Sequence, residues 1–273
     1  MPVLRLSFTN LAAASAAVVD HTQEACGYCA SEAQAPQRPF HPWRTATTTV
    51  AQAWYLDFGS TVAPDAIALV NAGFTSATIQ GASSSGLFGA PPYSEAVVLT
   101  CGPLSWRYQH VHLTTGWQYR WLRLSLDATT VSCAGGPAAG STYFSLGGVW
   151  AGALTSAPTH FRIGLRQRTV LPKVDVGPGH GAWSQRLRQG SPRVRLEASL
   201  LACVEPTTPG LGDAVETWQT LAGQAWAADA FLAYVNLGDP SQGYVVRWAG
   251  DPVWEFQGRS AEADVVFDEV VGP

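Results

Sequence analysis

Alternation of apolar and polar residues at period two dominates the chain. In Trp54-Tyr55-Leu56-Asp57-Phe58 the residues Trp54, Leu56 and Phe58 share one side and Tyr55 and Asp57 the other, as a half-buried β-strand requires, and Gly59-Ser60 ends it. The run Ala66-Ile67-Ala68-Leu69-Val70 is apolar throughout and closes at Asn71-Ala72-Gly73, which predicts a central strand covered on both faces. Together they predict the middle of a β-sandwich.

The same reading predicts an edge strand at 3–8, strands at 77–82, 95–100, 108–113 and 117–126, and a closing strand at 144–152. Between them lie a long loop over 20–53, which holds Pro36, Pro39 and Pro42 and ends near Trp43, and a Ser/Gly/Pro loop over 83–93. Residues 154–158 read as a linker, dividing the chain into domains 1–155 and 156–273. In the second part a turn-heavy segment at 172–190 precedes a strand at 193–204, where Val194, Leu196, Ala198 and Leu200 oppose Arg193, Arg195, Glu197 and Ser199. A single helix is predicted at 213–227, with Asp213 as N-cap and Val215, Trp218, Leu221 and Ala222 at helical spacing. Strands at 230–237, 243–248 and 263–270 complete the chain. The fold class is therefore mostly β: an N-terminal β-sandwich, then a second β-sandwich-like domain with one α-helix.

Composition agrees with the pattern, since 11 Trp suit strands and 27 Gly with 18 Pro supply turns. Charge is sparse, with a net of −4 and Lys173 as the sole lysine, so there is no clustered basic footprint for nucleic acid. No stretch is apolar for the length of a membrane helix, and the apolar start is too interrupted for an export signal, so neither membrane insertion nor secretion is expected. The five cysteines, Cys26, Cys29, Cys101, Cys133 and Cys203, fit reduced thiols better than a disulfide framework.

Candidate chemistry is thin. Cys26-Gly27-Tyr28-Cys29 has half the spacing of a zinc site and lacks a second pair, which favours ordinary loop cysteines. His110 and His112 project to one strand face and could share a metal, although a polar outer sheet face accounts for them more simply. Gly177-Pro178-Gly179-His180-Gly181 lacks the ending of a phosphate loop and reads as a flexible loop, while Glu262, Asp264, Asp268 and Glu269 read as a solvated strand face. No nucleophile elbow stands out, so no catalytic residue, metal or cofactor is expected and the chain does not read as an enzyme. Aromatic residues remain. Trp106, Tyr108, Trp117 and Tyr119, with His110 and His112 among them, form the candidate ligand or partner surface, because flat rings suit sugars and proteins.

Residues 20–152 resemble the galactose-binding-like, discoidin-type jelly roll. The resemblance lies in the order Pro42-Trp43-Arg44, Trp54 to Gly59, Ile67 to Val70, Ile79-Gln80-Gly81-Ala82-Ser83 and Tyr119-Arg120-Trp121-Leu122-Arg123-Leu124. The remainder, from Phe144 to Gly152 onward, is similar to tail-tip and distal tail proteins of long-tailed bacteriophages, although those commonly place the ring-forming domain first. This implies a structural virion protein of a siphophage tail, assembled in the host cytoplasm as a homo-oligomeric ring around the tail tube. Its partners would be the tube and tail hub, and its sandwich would face outward as adaptor or host-glycan binder. A stand-alone carbohydrate-binding module or lectin, and a hydrolase with an accessory sandwich, are the alternatives.

Overall fold

A computed structural model describes residues 4–14, 18–34, 36, 42–101, 108–127, 142–156, 160–170, 174–179, 182–187, 193–203, 220, 223, 230–235, 238–249, 255–257 and 260–270. Its first strands are β1 (Arg5–Ser7), β2 (Val18–His21), β3 (Trp43–Arg44), β4 (Gln52–Val62), β5 (Ala66–Ala72), β6 (Ser76–Ala82), β7 (Tyr93–Val98) and β8 (Thr100–Cys101). There follow β9 (Tyr108–Leu113), β10 (Tyr119–Leu126), β11 (Ser145–Gly152), β12 (Thr155–Ser156), β13 (His160–Val170), β14 (Val174–Gly179) and β15 (Ala182–Leu187). The last are β16 (Arg193–Cys203), β17 (Phe231–Tyr234), β18 (Gly243–Trp248), β19 (Glu255–Gln257) and β20 (Ser260–Glu269). The predicted helix at 213–227 lies outside the described residues except for Thr220 and Gly223, both helical.

Two five-stranded antiparallel sheets form the sandwich: an outer sheet in the order β2-β4-β10-β6-β7 and a middle sheet in the order β3-β11-β5-β9-β8. Trp54, Leu56 and Phe58 of β4 and Leu122, Leu124 and Leu126 of β10 point inward, and all are buried with Ile67, Leu69 and Val149 of the middle sheet. Burying each such side chain stabilises the fold by roughly 1.5–3 kcal/mol. Ser83 to Pro92 folds over the outer sheet's other face, where the buried Phe88 ring stands 5.6 Å from Tyr55 and 4.6 Å from the Arg123 guanidinium.

A third, eight-stranded sheet in the order β12-β1-β17-β18-β20-β16-β13, with β19 on β20, packs against the middle sheet's far face. This explains the continuous apolar run. Ile67 and Leu69 face the sandwich core, whereas Ala66, Ala68 and Val70 join Leu4, Leu6, Phe231, Val246 and Phe267 in a second core. The layers approach closely at Gly243, where an added methyl would sit 2.0 Å from Val111 Cγ2. Hydrogen bonds cross the same interface: Val111 N–H to the Pro240 carbonyl at 2.8 Å, Trp150 Nε1–H to Ser7 Oγ at 3.0 Å and Gln109 Nε2–H to Glu269 Oε1 at 3.0 Å.

Several local expectations need correction. The first strand is interior, because β12 pairs with one side of β1 and β17 with the other. The expected linker contributes β12, so the large sheet draws strands from both sides of residue 155. The turn-heavy segment contains the hairpin β14–β15, and Gly177 to Gly179 pair with Ser184 to Ala182 instead of forming a free loop. The acidic face is only partly wet: Asp264 is exposed, Asp268 holds Arg195 at 2.7 and 3.0 Å, and Glu269 is buried against Gln109.

Candidate functional site at the sandwich edge

The site forms where β7, at one end of the outer sheet, comes across to β9 of the middle sheet. Register decides which side chains meet. Tyr93 and Glu95 stand opposite Gly81 and Ile79 on β6, and Ile79 is fully buried in the sandwich, so Tyr93 and Glu95 share its inward side. His110 and His112 stand opposite Leu69 and Ile67, both inward, and thus turn to the interior as well.

At the rim these inward positions make a closed polar group. Tyr93 Oη lies 2.7 Å from Glu95 Oε2 and 2.5 Å from His112 Nε2, and His112 Nε2 lies 3.1 Å from Glu95 Oε2. All three contacts are satisfied when Tyr93 donates to Glu95 and a protonated Nε2 of His112 donates to both oxygens. The His110 and His112 rings are stacked, 6.2 Å apart and 18° from parallel. Burial, and then the neighbouring His112, lowers the His110 pKa to about 4, so this ring is neutral at neutral pH. Burial likewise lowers His112, against the opposing pull of Glu95. Burial first, and the Glu95 bond second, raise the Tyr93 phenol above its ordinary value.

Aromatic rings back this group. Trp117 packs edge-on to Tyr93 at 4.9 Å and to Tyr119 at 5.4 Å. Gly81 makes this possible: a methyl there would stand 2.6 Å from Tyr119 Cδ2 and 2.9 Å from Trp117 Cη2. Tyr93 and Tyr119 remain partly open to solvent and the Glu95 side chain is 56% exposed, whereas Trp117 is sealed beneath them at 2%.

The structure therefore gathers His110, His112, Trp117 and Tyr119 into one cluster. Trp106 lies outside the described residues, and of Tyr108 the structure describes the β9 backbone, opposite Ala72 and Cys101. The polar-outer-face reading of the histidines is corrected: both are buried, because the alternate positions of β9, such as Val111, are taken up against the large sheet. Sequence reasoning missed Tyr93 and Glu95. Their signal is the alternation of Tyr93, Glu95 and Val97, but in β7 the exposed Val98 belongs to the opposite set, so the hydrophobic rule does not say which set turns inward.

Elsewhere, Asp57 on the outer sheet is held by the Arg120 fork, 2.7 Å at each oxygen, which lowers the Asp57 pKa. Cys26 and Cys29 are free and exposed, and no group of three or more metal-ligating side chains occurs among the described residues.

No family model matches the chain, and no curated protein matches it in sequence. Among solved structures it is similar to the lectin domain of lectinolysin complexed with Lewis B antigen, at 13% identity and a TM-score of 0.40 over 52% of this chain and 95% of that one. It is similar to chitosan-binding module 1 of a Paenibacillus sp. chitosanase/glucanase, at 20% identity and a TM-score of 0.39 over 52% and 98%. A Streptococcus pneumoniae fucose binding module shows 11% identity and a TM-score of 0.38 over 52% and 96%.

Proposed function

We propose that this chain is a glycan-binding adaptor without catalytic activity, which takes up a sugar at the β7–β9 edge of its sandwich. The carrying observation is that a carboxylate held by Tyr93 and His112 lies next to a pair of partly exposed tyrosine rings, Tyr93 and, 6.2 Å from it, Tyr119. Such rings offer flat faces to the C–H side of a pyranose, and an oriented carboxylate accepts hydroxyl hydrogens with little further ordering cost. A glycan array probed with the full chain and with Tyr119→Ala tests the reading. Retention of one sugar class by the parent, weakened about tenfold or more in the variant, is expected. A parent that binds no glycan refutes it.

The large sheet supports a second role for the same chain, as a subunit of a siphophage tail tip assembled in the host cytoplasm. β13 is eleven residues long, ends the eight-stranded sheet and pairs with β16 alone among the described residues. A long open edge of this kind suits pairing with a further copy, as a ring around the tail tube and next to the tail hub requires. Native mass measurement and imaging of particles test this. A chain that stays monomeric and never joins a tail refutes it.

A further inference from the structure

Resting on the glycan reading of this edge, we infer that the site selects sugars by charge: it favours an amino sugar carrying a free ammonium over its neutral acetylated counterpart, and refuses acidic sugars. The inference comes from how Glu95 is held. Its Oε2 takes both protein contacts, Tyr93 Oη at 2.7 Å and His112 Nε2 at 3.1 Å. Both contacts fall on the same oxygen of a side chain that is 56% exposed, so the carboxylate is held at one oxygen and still open to solvent. A carboxylate held in this way is an acceptor for a ligand, and a charge-assisted bond from an ammonium is roughly twice as strong as one from a hydroxyl.

What surrounds Glu95 sets the sign of the site. The groups facing it from β9 are His110 and His112, both of which burial disfavours in their charged form, and the group beside it on β7 is a phenol that keeps its proton. The arginines of β10, two strands away in the outer sheet, are engaged elsewhere, Arg120 with Asp57 and Arg123 with Gln80 and the Phe88 carbonyl. Among the described residues no lysine or arginine is paired with Glu95, so its negative charge is left to the ligand. A carboxylate or sulfate placed there meets like charge with no cation to hold it, and an ammonium meets the opposite charge directly. The Tyr93 ring beside Glu95, with the Tyr119 ring 6.2 Å from it, adds attraction for a cation lying near their faces.

Calorimetric titration of the full chain at about pH 6 compares glucosamine oligomers, their N-acetylated counterparts of equal length and oligogalacturonate. The expected result is binding of the amino oligomers about tenfold or more tighter than the acetylated ones, weakening as salt rises from 50 to 500 mM, with no binding of oligogalacturonate. Glu95→Gln should bring the amino and acetylated forms within about twofold of each other. The salt series on the unmodified chain serves if that variant does not fold. Binding of oligogalacturonate as tight as that of the amino oligomer, or a preference that survives both Glu95→Gln and high salt, overturns the inference. Equal binding of amino and acetylated oligomers, lost from both in Tyr119→Ala, overturns charge selection and leaves the glycan site standing. Absence of binding to every sugar overturns both.

Discussion

Acid should loosen the sandwich edge through His110. In the folded chain its pKa lies at about 4, against 6.5 for the free side chain, because the ring is buried beside His112 and exchanges water for the apolar interior. The unfolded chain therefore binds more protons than the folded one between these two values, and stability rises with pH across that window and levels off above 6.5. At 1.36 kcal/mol per pH unit the whole interval is worth about 3 kcal/mol, and solvent access at the rim reduces this to about 2. About half to two-thirds of that should already be lost between pH 7 and pH 5. His112 and Glu95 act on the same ring, so the measurement must be differential. Urea unfolding at pH 7 and pH 5, for the parent and for His110→Leu, isolates the contribution of this one ring. His110 Nδ1 has no hydrogen-bond partner and the ring bonds only the Val98 backbone, so leucine forfeits that one bond, about 0.5–1.5 kcal/mol, equally at both pH values while the ring is neutral. The parent should lose about 1 kcal/mol more than the variant on going to pH 5. Parallel losses in both, or a steeper loss in the variant, would show that His110 is not held neutral by burial.

Further outcomes follow from other contacts. Gly243→Ala drives a methyl to 2.0 Å from Val111 Cγ2 between two tightly packed sheets, and should cost about 1–3 kcal/mol in a denaturant melt; a change within about 0.5 kcal/mol would mean that the sheets separate freely. Tyr93→Phe removes the hydroxyl shared by Glu95 and His112 and should cost about 1–2 kcal/mol; an unchanged melt would argue against the closed polar group. Cys26 and Cys29 are both exposed, so a thiol reagent should modify them in the native chain within its fast phase, and Cys26→Ser with Cys29→Ser should remove two equivalents from that phase. A fast phase unaltered by the double substitution would place the reactive thiols elsewhere.

Much of the sandwich was legible because local alternation states which residues share a face. Trp54, Leu56 and Phe58 read as core and are core, and the unbroken run at 66–70 read as doubly covered and is. Alternation does not state what lies against each face. For β9 the hydrophobic rule favours Gln109, Val111 and Leu113 as the inward set over Tyr108, His110 and His112, but the packing of the large sheet on Val111 sends the histidines inward to the sandwich. For β7 the exposed Val98 and the inward Glu95 reverse the hydrophobic rule, since at the sandwich's open edge an inward position still reaches water.

The sequence by itself therefore determined the class, most strand positions and the doubly buried central strand, all properties of neighbouring residues along one strand. Only the tertiary structure decided that the first strand belongs to the large sheet, because Arg5 to Ser7 pair with Tyr234 to Leu232, more than 220 residues away. It also decided the site. Tyr93, Glu95 and His112 come from strands in different sheets, and their meeting depends on register and on the gap between layers, which no spacing in the chain encodes.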